Sequence, residues 1–166
     1  SFHGALLGVV VSILVVAKVK KHSFFLFSDL LAVTTPFVLI FGRIANFING
    51  ELVGRVTDVP WAIIFPRFGT SPRHPSQLYE ALTEGLITFI ILWAIRKRLK
   101  INPGLTSSLF LILYGGFRFI VEYFRLPDPQ LGTIVLGLSM GQLMCLVMIL
   151  TGNILLYLAS RRWLNT

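Results

Sequence analysis

Charge is scarce in this chain: 13% of its 166 residues are Asp, Glu, Lys or Arg, against 55% that are hydrophobic. Soluble domains carry about a quarter charged residues, so this composition excludes a soluble domain with a large core and implies a polytopic membrane protein. The mean hydropathy of +0.79 agrees. Cysteine occurs once, as Cys145 inside the last apolar run. A single thiol rules out a disulfide framework and a cysteine metal site, and its expected role is small apolar packing. No His-x-x-x-His spacing or paired aspartate occurs, and the acids are scattered among arginines, so neither metal nor other cofactor is expected. A Gly-x-Ser-x-Gly elbow is missing too, which removes the serine acyl-enzyme route and favours direct transfer between two bound substrates. There is no internal repeat or low-complexity tract. No cleavable signal peptide is visible, though chain upstream of Ser1 could carry a first targeting segment.

What charge there is has a pattern. Nine basic residues fall in three clusters, Lys18/Lys20/Lys21, Arg96/Lys97/Arg98/Lys100 and Arg161/Arg162, each directly after an apolar run. They read as cytoplasmic anchors, not as a nucleic-acid surface. The other six basic residues, Arg43, Arg55, Arg67, Arg73, Arg118 and Arg125, are matched by six acids, Glu51, Asp58, Glu80, Glu84, Glu122 and Asp128. Asp29 goes with the cytoplasmic set, so the whole net charge of +8 lies on one side.

The expected fold is an all-α, polytopic helical bundle in one membrane domain, residues 1–166, with five spans near 4–17, 24–48, 77–95, 105–124 and 136–160. The first run has 14 residues where a span needs about 20, so a turn is expected before Ser1. Placing every basic cluster inside puts the loop 51–76 outside, where it is long enough to form a small cap with a strand near Trp61 to Phe65. The C-terminus is then cytoplasmic.

Against this apolar background the stretch Gly42-Arg43-Ile44-Ala45-Asn46-Phe47-Ile48-Asn49-Gly50-Glu51-Leu52-Val53-Gly54-Arg55 stands out, because polar residues at the end of a hydrocarbon-buried segment are expensive and point to function. On a helix ending at Asn49-Gly50, Arg43, Asn46 and Gly50 share one face, and Gly42 and Ala45 leave room for a neighbour or substrate. Tyr114, Arg118, Glu122 and Arg125 lie within about 80° of one helical face. Two readings are open: an internal Arg118-Glu122 pair that lets a charged helix insert, or an anion clamp in which Arg43 and Arg118 grip a phosphate and Glu122 holds a guanidinium. His3 and His74 are the proton-handling candidates, since imidazole titrates near neutrality. Pro75 suits a first helical position, which would make His74 the N-cap with Gln77 reaching back to it. His22, in a basic cluster, is expected to be inert. Tyr79 and Tyr114 could orient substrate hydroxyls. All the unusual polar residues converge on the outer half of the membrane, away from the basic clusters.

Four blocks together resemble bacterial prolipoprotein diacylglyceryl transferase: His3-Gly4, the fourteen residues from Gly42 to Arg55, the segment His74-Pro75-Ser76-Gln77-Leu78-Tyr79-Glu80, and the run from Tyr114 to Arg125. They stand in the family's order and span nearly the whole chain, which is similar to the family's C-terminal portion. Two positions depart from the pattern. Ala5 and Ala45 replace glycines, which makes close backbone approach harder but leaves the chemistry intact.

The resemblance implies transfer of the sn-1,2-diacylglyceryl group of phosphatidylglycerol to the lipobox cysteine thiol of a prolipoprotein, giving a thioether and glycerol phosphate. It implies a bacterial inner-membrane location, with the site toward the extracytoplasmic side. It also makes His3 a base or substrate ligand, and puts Arg43, Asn46, Glu51, Arg118 and Glu122 in a polar site with Tyr114 and His74. A transporter or flippase for an anionic lipid or organic anion would gather similar residues, although such proteins often show repeats and mid-bilayer sites. An assembly factor that holds lipoproteins without chemistry is the third alternative.

Overall fold

A computed structural model describes residues 2–99, 102–126, 133–135 and 137–164. Six helices account for most of them: α1 (Phe2–Lys20), α2 (Phe24–Ile48), α3 (Ser76–Glu80), α4 (Thr88–Leu99), α5 (Leu105–Val121) and α6 (Met140–Leu164). Their packing is inverted relative to a soluble protein. Leu30, Val38, Ile48 and Leu150 are more than half exposed, while Ser76, Gln77, Glu80, Glu84, Thr88 and Ser108 are fully buried. Apolar side chains outside and polar ones inside suit hydrocarbon as the solvent. Among the described residues, three helical stretches are long and apolar enough to cross a membrane, Phe24–Ile48, Ser76–Arg96 and Met140–Ser160, and Leu105–Val121 is a shorter apolar helix.

Several expected boundaries shift. The first helix has 19 residues and continues to Lys20, so part of the length expected upstream is supplied at its other end. The fourth segment leaves the helix at Val121 and not at 124, with Glu122 as its C-cap. The last begins at Met140, because Leu138–Ser139 pairs with Thr133–Val135 as two short antiparallel strands; Leu136, the expected start, lies outside the described residues. The helix carrying Arg43 ends as expected, at Asn49 with Gly50 at a positive φ of 63°. Gly50 is therefore beyond the helix and does not share its face. Gly42 leaves open space, with no described atom within 4 Å of where a Cβ would stand.

The third segment departs most. Between α3 and α4 the chain runs through a π-helix, Ala81–Ile87. Threonine hydroxyls feed the widened turns: Thr83 Oγ1 donates to Tyr79 O at 2.7 Å and Thr88 Oγ1 to Thr83 O at 2.8 Å. Such hydroxyl bonds back to the main chain bend helices, and π stretches recur at functional sites.

α5 is the central element, packed on α2, on the α3–α4 segment and most closely on α6. Glycines allow that last approach: a Cβ on Gly115 would lie 3.1 Å from Cys145 O, and one on Gly152 2.8 Å from Ser108 O. The first turn of α5 begins at Gly104, which has no side chain to cap it. Asp29 of α2 does so instead, its Oδ2 accepting from Gly104 N–H at 2.7 Å and its Oδ1 from Ser107 N–H at 2.8 Å. This cap lies fourteen residues before Arg43 on α2, about 21 Å away along the helix axis.

At the other end, residues 51–75 fold over the helix ends. Ile63–Ile64 (β1) pairs antiparallel with Pro72–Arg73 (β2), a shorter strand than the expected Trp61 to Phe65. Backbone bonds close the segment on itself and tie it to the chain after α5: Gly54 N–H donates to His74 O at 3.1 Å, Arg55 N–H to Phe124 O at 2.9 Å, and Leu126 N–H to Val53 O at 3.2 Å.

Candidate active site

Three arginines and three glutamates from α2, the α3–α4 segment and the end of α5 meet in one cluster. Glu80 is its hub. Its Oε1 accepts from Arg118 Nη1 at 2.6 Å and Arg125 Nη1 at 2.9 Å, and its Oε2 faces Arg43 Nε at 2.7 Å. Glu84, four residues on, lies 3.4 Å from Arg43 Nη2 and 3.5 Å from Arg118 Nη1. Glu122 Oε2 faces Arg118 Nη2 at 3.2 Å and Arg125 Nε at 3.8 Å.

The cluster is formally neutral, which is the condition for burying it at all. Its layering gives it direction. The Glu80 and Glu84 side chains have no exposure, whereas those of Arg43, Arg118 and Arg125 keep 15–16%. Glu122 keeps 13%, so the exposed side of the cluster carries three guanidiniums and one carboxylate, a net positive face that favours an anion. The carboxylates hold the forks in fixed planes, and planar bidentate donors suit phosphate.

Of the residues expected in the site, Arg43, Arg118 and Glu122 come together. Asn46 and Glu51 form a separate pair at the end of α2, with Asn46 Nδ2 donating to Glu51 Oε2 at 3.4 Å. That pair is tied to α3 by Gln77 Nε2, which donates to Glu51 O at 2.6 Å. His74 joins an aromatic group instead: its Nδ1 is 3.2 Å from Tyr79 OH, which accepts from Trp61 Nε1 at 2.6 Å, and its ring lies edge-on to Phe124. It precedes the N-cap, which is Pro75, and the amide of Gln77 reaches Glu51 instead of His74. The one-residue shift arises because His74 is held in extended pairing with Gly54 and Arg55. Tyr114 sits one turn before Arg118, stacked on Phe110 at 5.6 Å between ring centres. His3 stands in the first turn of α1, and its side chain lies outside the described set.

Glu80, Glu84 and Arg125 were not singled out as site residues by the sequence reading. The signal was present, since acids inside an apolar helix are as costly as arginines. The acids balanced the arginines in number, but pairing between segments is a tertiary fact.

The sequence model of the prolipoprotein diacylglyceryl transferase family matches residues 1–158. The chain belongs to this family. Among similar proteins named phosphatidylglycerol–prolipoprotein diacylglyceryl transferase, that of Mannheimia succiniciproducens is 54% identical over 165 residues, covering 98% of this chain and 60% of the relative. The Pasteurella multocida protein is 54% identical over 162 residues (96% and 59%), and that of Desulfotalea psychrophila 55% over 157 residues (92% and 58%). The chain thus spans about three-fifths of the length of these family members.

Proposed function

We propose that the full-length protein transfers the diacylglyceryl group of phosphatidylglycerol to the lipobox cysteine of a prolipoprotein. The observation that carries this is the layered cluster: three guanidiniums and Glu122 partly exposed, Glu80 and Glu84 sealed behind them, at one end of a bundle with an apolar exterior. The phosphodiester docks on the exposed sides of Arg43 and Arg118, with its acyl chains in the bilayer. The peptide thiolate attacks the glyceryl carbon that carries the phosphate, so a C–S bond forms as the C–O bond breaks and glycerol phosphate departs. The proton lost by the thiol balances the charge gained by that leaving group. Glu122 steadies Arg118. Tyr114, Asn46, Glu51 and His74 line the substrate's approach, and His3 takes the thiol proton or binds substrate, as the family motif implies. The reaction draws on no metal or other cofactor.

The same reading gives five spans in a bacterial inner membrane, with residues 51–76 on the extracytoplasmic side and the C-terminus in the cytoplasm. α5, with 17 residues, rises about 26 Å, somewhat short of a hydrocarbon core of about 30 Å. The turn from Glu122 to Phe124 extends it toward the interface.

Incubating full-length protein with labelled phosphatidylglycerol and a lipobox peptide is the deciding experiment. Transfer yields lipidated peptide and free glycerol phosphate in equal amounts. A transporter, flippase or holding factor yields neither, and the absence of both products would overturn the reading. The relatives' names give the transporter alternative no support.

A further inference from the structure

Arginines bind only one side of Glu122. Its other oxygen, Oε1, accepts a hydrogen bond from Ser139 Oγ at 3.1 Å. Ser139 is itself held at the entrance to α6 by a reciprocal pair of bonds: Gln142 N–H donates to Ser139 Oγ at 3.1 Å, and Ser139 N–H donates to Gln142 Oε1 at 3.0 Å. This capping box fixes the hydroxyl in place. Gly141 lets the first turn of α6 close on the carboxylate, for a Cβ there would stand 2.8 Å from Glu122 Oε1 and 3.1 Å from its Cδ. The positive end of a 25-residue helix therefore also faces Glu122.

We propose that Ser139 is a positioning residue for the transfer reaction, acting through Glu122 to set the plane of the Arg118 fork; this role rests on the transferase reading above. The Arg118 guanidinium has Glu80 on Nη1 at 2.6 Å with Glu84 behind it at 3.5 Å, whereas Nη2 faces Glu122 at 3.2 Å. Glu122 also has Arg125 within 3.8 Å. Without the bond from Ser139, the carboxylate is free to turn toward Arg125, and Arg118 loses its guide on the Nη2 side. A hydroxyl can donate and accept at once. Ser139 uses both capacities, accepting from Gln142 and donating to Glu122, so capping and positioning can be separated by substitution.

The test uses full-length protein with phosphatidylglycerol vesicles and a lipobox peptide, reading kcat, KM for the lipid and unfolding temperature. Ser139→Ala should lower kcat about tenfold, the scale of a lost hydrogen bond to a charged group, with little change in KM. Ser139→Thr keeps the hydroxyl and should restore turnover. Ser139→Asp keeps the cap acceptor but cannot donate to Glu122 and sets a second carboxylate against it, so it should be at least as slow as the alanine variant. In a Glu122→Gln background, Ser139→Ala should cost much less than it does alone, because the group it acts through is already altered. Normal turnover by Ser139→Asp, or an equal loss in both backgrounds, would overturn the proposal. Should Ser139→Ala fail to fold, Ser139→Thr still decides, since a folded threonine variant with lost turnover would overturn the proposal. An unmutated protein that transfers no lipid would instead remove the transferase reading, and this role with it.

Discussion

At the level of single residues, Arg118 does a job that charge alone cannot do. Its two terminal nitrogens face carboxylates from different segments, Glu80 and Glu84 on one and Glu122 on the other, and a planar fork reaches them all while its side chain keeps 16% exposure, the side that the proposed function gives to the substrate phosphate. Arg118→Lys should therefore lose two to three orders of magnitude in turnover, matching the roughly 3–4 kcal/mol of an electrostatic contact that strengthens as charge develops on the leaving phosphate. Glu122→Gln should lose less, since glutamine still accepts one hydrogen bond from the guanidinium. Measuring turnover beside affinity for a neutral diacylglycerol analogue separates catalysis from scaffolding. Near-normal turnover by Arg118→Lys, or an equal loss of affinity for that analogue, would assign Arg118 to the bundle. Cys145 makes the opposite case. It is buried and free, with its backbone facing Gly115 across the α5–α6 contact. Cys145→Ala in the full-length protein should keep most of the transfer activity, because in the proposed reaction the acceptor thiol belongs to the prolipoprotein. A folded but inactive Cys145→Ala variant would call for a covalent lipid–cysteine intermediate.

At the level of elements, the segment between α2 and α3 holds the site's rim together through backbone bonds more than through its own strands. Gly54 is the point where three pieces of chain meet: its N–H bonds to His74 O, its carbonyl accepts from Arg73 Nη1 at 3.2 Å, and a Cβ on it would run into His74 O and stand 2.7 Å from Phe124 O. These neighbours are backbone, which cannot swing aside. Gly54→Ala should cost about 1–3 kcal/mol of stability, as overpacking does, and should lower turnover further by moving the chain just beyond Glu122. Thermal unfolding in detergent, read beside transfer activity, checks this. A variant unchanged in both would show that the rim has more slack than its geometry indicates. The π-helix has a comparable role, since Glu80 precedes it directly and Glu84 lies within it.

For the whole molecule, orientation follows from separating two kinds of charge. The ion-paired cluster lies near the C-terminal end of α2, while Asp29 and the Gly104 turn lie at its other end, close in sequence to the basic residues after α1 and α4. With basic residues on the cytoplasmic side, as proposed, the site would open outward. A membrane-impermeant label should therefore reach a cysteine placed at Thr70 from outside, and labels at Lys97 or Arg162 only from the cytoplasm. The reverse pattern would reject this orientation. If it holds, an acceptor peptide must reach the outer leaflet before it is modified.

Composition and order along the chain were enough to point to a membrane protein, to the limits of α2 with its end at Asn49-Gly50, to the start of α5 at Leu105, and to Arg43 and Asn46 on α2 and Tyr114 and Arg118 on α5. These are local or additive properties: hydropathy sums along a segment, and helical spacing alone decides which residues share a face. Partners were a different matter. Nothing in the spacing of Arg43, Glu80, Arg118 and Arg125 says that one carboxylate serves all three guanidiniums, that His74 turns to Tyr79 and Phe124 instead of the ion pairs, or that Ser139 reaches Glu122. Those contacts join residues up to tens of positions apart on separate helices. They exist because buried charge must find its complement in whichever neighbouring helix the packing brings within reach, and only the folded bundle decides which helix that is.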